Sequence, residues 1–277
     1  MIEEISIDTK VKLNNGVQMP IFGLGTYQTR SGKETQTAVL YALEAGYRLI
    51  DTAKIYGNEK DVGEVVRKSG IPREEVFITT KLWNSDHGYE AAIAACEKSL
   101  KSLGLSYIDL YLIHWPVEGL RNETWTAMET LQKEGKCRAI GVSNYMIWHL
   151  EELLNSSSTI PAVNQVEFSP YLYQKDLLEF CDSHNIQVEA YSPLTKGQKL
   201  SDPKLVAIAS RYSKSPAQIL IRWVLQHGAI VIPKSSKKER IFENADVFDF
   251  TISPEDKSVL DSFNENLRTS WDPSTAS

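Results

Sequence analysis

Cysteine is scarce in this sequence, and the few cysteines form no motif. Three occur, Cys96, Cys137 and Cys181, with no CxxC spacing among them. An odd, scattered set excludes a disulfide framework and a zinc ribbon, and it favours reduced thiols in the cytoplasm. The opening MIEEISIDTK also lacks the apolar core of a secretory signal. We therefore expect a cytoplasmic protein.

Long apolar runs and an excess of basic residues are also missing. No run approaches the roughly 18 consecutive apolar residues that a membrane span needs. The formal net charge of -6 argues against a general nucleic-acid surface, which is normally basic. We expect neither a membrane nor a nucleic acid as partner. The 277 residues, 42% of them hydrophobic, suffice for a sizeable core.

Two kinds of binding motif are absent. Gly23-Leu24-Gly25 is followed by Thr26-Tyr27-Gln28, which fails the GxGxxG pattern of a Rossmann dinucleotide site, and no P-loop string occurs. There is no HExxH and no HxH after the first predicted strand, so we expect no metal. These absences disfavour a metal-dependent barrel hydrolase.

Short β-branched or aliphatic runs alternate with helix-like stretches along most of the chain. The eight runs are residues 21–25, 49–51, 76–81, 109–113, 139–143, 162–167, 187–191 and 229–233. Runs without polar alternation are typical of parallel strands that helices cover on both sides. Their number predicts an α/β fold, a (β/α)8 TIM barrel of one domain over residues 1–277. A doubly wound open sheet is the competing fold.

The segments outside these eight strands and their helices also have predicted structures. Residues 10–13 and 17–19 flank Asn14-Asn15-Gly16, whose residues tolerate the positive φ of a tight hairpin turn. We expect this N-terminal β-hairpin to cap one end of the barrel. Residues 202–211, 216–227, 237–245 and 254–263 are predicted helices. They are more than the eight strand–helix units need, so we expect extra helices near the C-terminus. Residues 264–277 show no periodicity and should form a loop.

Three polar residues close successive predicted strands. Asp51, Lys81 and His114 would meet at the C-terminal rim of a barrel, and Tyr56 follows Asp51 in the same loop. A phenol has an ordinary pKa of about 10. A neighbouring ammonium held by a carboxylate would lower that pKa, and an imidazole could orient a substrate oxygen. A structural ion pair, a rim-covering tyrosine and a core histidine are the alternatives.

The densest basic cluster follows the eighth strand. It runs from Lys234 through Ser235 and Ser236 to Arg240, where barrels often bind phosphate with the help of a helix N-terminus. The cations would supply charge, and the serines are expected to cap the helix and to donate hydrogen bonds. A solvated basic helix start is the alternative.

Three longer motifs resemble those of the aldo-keto reductase family. They are GYRLIDTAKIYGNEKDVG at residues 46–63, RAIGVSNY at residues 138–145 and IPKSSKKERIFEN at residues 232–244. They occur in the family's order, and the likeness covers the whole chain. Shorter bacterial and protist members are most similar, such as diketogluconate reductases, aldehyde reductases and prostaglandin F synthases.

The resemblance implies NADPH-dependent reduction of aldehydes or ketones. Tyr56 would donate the proton, Asp51 and Lys81 would lower its pKa, and His114 would orient the carbonyl. The nicotinamide of NADPH would supply the hydride. By the same likeness, Arg240 with its neighbouring lysine and serines would hold the 2′-phosphate.

The remaining cofactor contacts also come from the resemblance. Ser143, Asn144 and Gln165 would bond the carboxamide, Tyr191 would stack on the nicotinamide, and Glu243 and Asn244 would hold the adenine. The full implied set is Gly25, Thr26, Tyr27, Asp51, Ser143, Asn144, Gln165, Tyr191, Ser192, Pro193, Leu194, Ile232, Pro233, Lys234, Ser235, Ser236, Arg240, Glu243 and Asn244.

Aromatic residues after strand ends predict an apolar substrate pocket beside His114. Tyr27, Trp83 and Trp115 are its expected walls, and Trp271 in the tail is expected to close over it. A loosely packed terminus is the alternative for Trp271. Thr195-Lys196 stands where many relatives carry Gly-Ser, so the loop that covers the cofactor is expected to hold it differently.

The resemblance leaves some questions open. The substrate is a small carbonyl compound whose identity the sequence does not fix. A cofactor-binding regulatory subunit with little turnover, like the potassium-channel β-subunits that share this barrel, is the functional alternative. Family analogy implies a monomer.

Overall fold

Eight short parallel strands follow one another around a ring. The computed structural model describes residues 5–276, and the predictions for residues 1–4 and for Ser277 lie outside them. The ring consists of β3 (Gly23–Gly25), β4 (Leu49–Asp51), β5 (Phe77–Leu82), β6 (Ile108–Ile113), β7 (Cys137–Ser143), β8 (Val163–Glu167), β9 (Gln187–Tyr191) and β10 (Ile230–Val231). Nearly every residue in them is buried, because helices cover the outside and side chains fill the inside.

The first and last strands of the ring close it. Phe22 bridges Val231 in parallel, and the Gly25 N–H donates to the Pro233 carbonyl at 3.2 Å. Only glycine fits at position 25, because a Cβ there would lie 2.9 Å from the Ile232 carbonyl oxygen. The predicted (β/α)8 barrel is thus confirmed, and the open doubly wound sheet is wrong.

Helices alternate with the strands. They are α1 (Lys33–Glu44), α2 (Glu59–Lys68), α3 (Tyr89–Leu103), α4 (Arg121–Lys133), α5 (Ile147–Ser156), α6 (Lys175–Ser183), α7 (Pro203–Arg211), α8 (Pro216–Gln226), α9 (Lys238–Ala245) and α10 (Pro254–Asp261). Asp202, Ser215 and Ser253 each cap a helix that begins with proline at the next residue. The helices α7 and α10 are the extra ones predicted near the C-terminus.

A hairpin closes the N-terminal end of the barrel. Its strands β1 (Lys10–Lys12) and β2 (Gln18–Pro20) are antiparallel and form a sheet of their own. Leu13 and Met19 are buried with side chains of the barrel interior. Asn14 Nδ2 donates to the Pro161 carbonyl at 3.0 Å, which ties the turn to the barrel floor. The opposite end is left for a site.

The segment after α10 lies over that opposite end. Between residues 264 and 276 the chain has no strand and forms one short turn of 3₁₀ helix, Pro273–Thr275, as the loop prediction implied. Within the described part of the chain, no helix combines the length and apolarity needed to cross a bilayer.

Candidate active site

Lys81 and Asp51 form a buried ion pair at the C-terminal rim of the barrel. Lys81 Nζ donates to Asp51 Oδ1 at 2.7 Å and to Oδ2 at 2.8 Å, and also to the Thr52 carbonyl at 2.9 Å. Neither side chain is more than 4% exposed. The same ammonium lies 3.4 Å from Tyr56 Oη. The three groups that the sequence predicted to lie close together are therefore close together in the structure.

Tyr56 is held in place by the loop that follows β4. The loop makes one turn of 3₁₀ helix, Lys54–Tyr56, and ends at Gly57 with a left-handed φ of 69°. Beneath it, Asn58 accepts from the Thr52 hydroxyl at 2.7 Å and donates to the Thr26 carbonyl at 3.0 Å. Because these bonds are buried, they keep the phenol fixed beside Lys81.

The pKa of Tyr56 departs from the sequence prediction. Burial raises the pKa of this phenol well above its ordinary value, and the negative charge of Asp51 raises it further. Burial outweighs the lowering that Lys81 was expected to produce, so the net lowering of this pKa predicted from the sequence is wrong. The physical reason is that Asp51 neutralises the ammonium at 2.7 Å, so that burial dominates. Tyr56 keeps its proton at neutral pH.

His114 follows β6 and faces Tyr56 across the cleft. The two rings are 5.7 Å apart and nearly perpendicular, and the Trp83 ring lies 5.2 Å from the imidazole on another side. Burial lowers the pKa of His114 well below its ordinary value, and the charge of Lys81 adds to this effect. The imidazole is therefore neutral and can donate one hydrogen bond without carrying charge.

A cleft of about 970 Å³ runs from Tyr56 to the basic cluster after β10. The predicted site residues that line it are Gly25, Tyr27, Asp51, Tyr56, Trp83, His114, Trp115, Ser143, Asn144, Gln165, Tyr191, Ser192, Pro193, Leu194, Ile232, Lys234, Ser235, Arg240, Glu243, Asn244 and Trp271. The cleft thus joins two sites that the sequence predicted separately. One is the group of polar residues at the strand ends, and the other is the basic cluster after the eighth strand.

Four predicted residues are not among those that line the cleft. Lys81 and Thr26 are fully buried, and the Thr26 hydroxyl donates to the Asp51 carbonyl at 2.9 Å. Pro233 uses its carbonyl to close the barrel. Ser236 is not among the lining residues.

The predicted serine cap of α9 is wrong. The residue preceding the helix is Lys237, and no side chain caps it. Ser235 Oγ instead accepts from the Lys237 N–H at 3.1 Å, one residue before the helix begins. The serine turn forms in the loop because its hydroxyl bonds the backbone two residues ahead, which is a local alternative to capping.

A hydrogen-bonded group on the cleft wall consists of the side chains of Ser143, Asn144 and Tyr191, in which Asn144 Nδ2 donates to Ser143 Oγ at 3.1 Å. Ser143 Oγ donates to the Gln165 carbonyl at 2.7 Å, and Tyr191 Oη donates to Asn144 Oδ1 at 2.8 Å. Asn144 Nδ2 donates to the His114 carbonyl at 2.9 Å. Asn144 adopts a left-handed φ of 62°, which asparagine tolerates better than most residues.

Lys234 and Arg240 are exposed at the far end of the cleft. Within residues 5–276 neither cation forms an ion pair with a carboxylate, whereas the neighbouring Lys238 pairs with Glu44 at 3.2 Å. Two uncompensated cations next to Ser235 fit an anion such as a phosphate monoester.

Sequence reasoning missed a buried carboxylate beneath the site. Gln165 Nε2 donates to Asp51 Oδ2 and to Glu189 Oε2, both at 2.8 Å. Glu189 is fully buried, and burial together with the charge of Asp51 raises its pKa to about 8. The available signal was a single acidic residue within the apolar run of β9.

Aromatic rings surround the cleft next to His114. Tyr27 lies 5.0 Å from Tyr56 between ring centroids, and Trp271 lies 5.7 Å from Trp115 and 6.5 Å from Trp83. The structure thus groups the four predicted pocket residues. Other lining residues were not predicted: Gln28, Ile55, Lys196, Gly197, Leu200, Ser215, Pro216, Ala217, Thr269 and Ser270.

Comparison with known proteins agrees with this geometry. The Aldo/keto reductase family matches residues 21–265. The chain is 55% identical to "Uncharacterized oxidoreductase YtbE" of Bacillus subtilis, with 96% of this chain and 97% of the relative covered. It is 52% identical to "Glyoxal reductase" of the same organism, with 97% of both covered. The structure of a Bombyx mori aldo-keto reductase in complex with NADP superposes with a TM-score of 0.88 at 40% identity, covering 94% of each chain. The resemblance read from the sequence motifs is confirmed, and the chain belongs to the aldo/keto reductase family.

Proposed function

We propose that the protein reduces aldehydes and ketones to alcohols with NADPH, and that Tyr56 donates the proton. The observation that carries this proposal is the 3.4 Å approach of Lys81 Nζ to Tyr56 Oη on a cleft that extends to Lys234 and Arg240. Family membership supports carbonyl reduction as the reaction class.

The cleft suits NADPH at both of its ends. Lys234 and Arg240 would hold the 2′-phosphate, and Ser143, Asn144 and Gln165 would bond the carboxamide. Gln165 uses both amide hydrogens on carboxylates, which leaves its Oε1 as an acceptor toward the cleft. The NADP complex of the Bombyx mori relative supports this assignment. When bound, NADPH supplies the hydride that no side chain here could provide.

The protein's own residues handle the proton. Tyr56 carries it at neutral pH because burial raises its pKa, so the phenol is in the form that reduction requires. As the proton leaves, Lys81 stabilises the developing phenolate from 3.4 Å. Neutral His114 donates a hydrogen bond that orients the substrate oxygen.

Reactive small aldehydes are the substrate class that we propose. The relative named glyoxal reductase supports compounds with adjacent carbonyl groups. The aromatic wall of Trp83, Trp115 and Trp271 supports carbonyls that carry an apolar or aromatic group as well.

A spectrophotometric assay tests the proposal. Purified protein is mixed with NADPH and either glyoxal or 4-nitrobenzaldehyde, and the nicotinamide absorbance is followed. We expect steady NADPH oxidation that depends on both the protein and the aldehyde. Tight NADPH binding without oxidation across a panel of aldehydes, ketoacids and sugars would instead favour the regulatory-subunit alternative.

A single domain over residues 1–277, a monomeric state and a cytoplasmic location stay predictions. Light scattering on the purified chain would measure the oligomeric state. Cell fractionation of the source organism would measure the location.

A further inference from the structure

The tail segment, residues 264–276, supplies the outermost ring of the aromatic pocket. Trp271 is 67% exposed, yet it lies against Trp83 and Trp115. An exposed indole buries little apolar surface. In a segment without a helix or strand, that burial does not offset the conformational entropy lost when the ring is held in one position. The ring must therefore be positioned by bonds elsewhere in the tail.

Glu167, the last residue of β8, makes those bonds. This carboxylate is buried, at 3% exposure, and it forms no ion pair within residues 5–276. Glu167 Oε1 accepts from the Thr269 N–H at 2.8 Å and from the Thr269 hydroxyl, and Oε2 accepts from the Ser270 N–H at 3.2 Å. Three donors from two adjacent tail residues thus satisfy both oxygens of this buried carboxylate.

A second contact holds the same tail residue from the cofactor side. Lys196 Nζ donates to the Thr269 carbonyl. Lys196 belongs to the loop after β9, lines the cleft and adopts a left-handed φ of 51°. This exposed contact is weaker than the buried one, because solvent competes for it. Glu167 therefore holds the two residues directly before Trp271, while His149 Nε2 lies 2.9 Å from the Ala276 carbonyl oxygen on the C-terminal side of Trp271.

We propose that Glu167 is a positioning residue that fixes Thr269 and Ser270 and so places Trp271 as the outer wall of the substrate pocket. The anchored wall adds affinity for carbonyls that carry an aromatic group, besides the small aldehydes proposed above. This inference rests on the proposed reductase function. Glu167 acts only through the tail and contacts neither the substrate nor the reacting atoms.

A double-mutant cycle tests the inference. Glu167→Ala, Trp271→Ala and the double variant are assayed with NADPH and either 4-nitrobenzaldehyde or glyoxal. We expect Glu167→Ala to raise KM for the aromatic aldehyde about 2- to 12-fold relative to KM for glyoxal, which is the size of one lost aromatic contact. In the Trp271→Ala background the same change should have no further effect on that ratio. An equal effect in both backgrounds, or on both substrates, would overturn the inference.

A structural readout separates this inference from the proposed function. Trypsin cleavage after Arg268, just before the anchored residues, is compared in the wild type and Glu167→Ala. Faster cleavage in the variant is expected even if no aldehyde is ever reduced, and an unchanged rate would overturn the anchor.

Two further variants complete the design. Thr269→Val removes one donor without touching the barrel, so it tests the anchor even if Glu167→Ala fails to fold; we expect the same direction with a smaller effect. Glu179→Ala removes an exposed carboxylate of α6 whose ion-pair partner is Lys175, and it should match the wild type in both readouts.

Discussion

Gln165 Nε2 lies 2.8 Å from Glu189 Oε2 inside the barrel. The same amide nitrogen lies 2.8 Å from Asp51, so one side chain bridges two buried carboxyl groups directly beneath the site. Two negative charges this close in a buried space repel each other, and one of the two carboxyl groups takes up a proton.

This arrangement predicts how stability depends on pH. The pKa of Glu189 is raised from 4.5 to about 8 by burial and by the charge of Asp51. The proton on Glu189 contributes stability that is fully present below pH 4.5 and is lost as the pH rises through about 8. Between these pH values this contribution to the free energy of unfolding should fall by up to about 1.4 kcal/mol per pH unit. Glu189→Gln should remove this contribution and make the decrease of the free energy of unfolding with pH less steep. Urea denaturation at a series of pH values measures it, with Glu179→Gln as the control that keeps the wild-type slope.

Removing Lys81 separates a structural ion pair from a catalytic one. Lys81→Met leaves Asp51 buried without its cation, which should cost about 3 to 5 kcal/mol of stability. The double variant Lys81→Met/Asp51→Asn removes both charges and should recover most of that loss. If Lys81 also stabilises the phenolate of Tyr56, the double variant stays inactive although it is folded. Recovery of turnover together with stability would show that the pair is only structural.

Arg240 should determine the preference for NADPH over NADH. A charge-assisted hydrogen bond contributes about 1.5 to 3 kcal/mol, so Arg240→Ala should weaken NADPH binding about 10- to 150-fold and leave NADH binding nearly unchanged. Fluorescence titration with both cofactors measures this. Lys238→Ala is the matched control, since that cation lies on the same helix but pairs with Glu44. An equal loss for both cofactors would refute the 2′-phosphate assignment.

The fold could be read from the sequence because its strands are buried on both faces. The run at residues 76–81 corresponds to Phe77–Leu82, and Gln187–Tyr191 matches β9 as predicted. The eighth run, residues 229–233, shortens to Ile230–Val231. Ile232 still donates to the Ala190 carbonyl of β9 at 3.2 Å, but Pro233 has no N–H to continue the ladder, and its carbonyl accepts from Gly25 of β3 at 3.2 Å. Periodicity carries no information on such closure contacts.

The site was only partly predictable. Asp51, Lys81 and His114 follow from strand ends, since parallel strands bring their C-terminal ends to one rim. The contact of Glu167 with Thr269 spans 102 residues along the chain, and no local pattern encodes it. The pKa of Tyr56 depends on burial and on the neutralisation of Lys81 by Asp51, which are properties of packing rather than of spacing.

The most direct test of the central claim is the turnover of Tyr56→Phe. This change removes one hydroxyl and keeps the ring, so NADPH affinity, measured by titration, should stay within about threefold. Loss of a general acid should lower kcat with 4-nitrobenzaldehyde by about 100- to 10,000-fold. Tyr89→Phe, whose phenol contacts Thr130 on the outer helices, should match the wild type. If Tyr56→Phe kept more than about a tenth of wild-type kcat, Tyr56 would not be the proton donor.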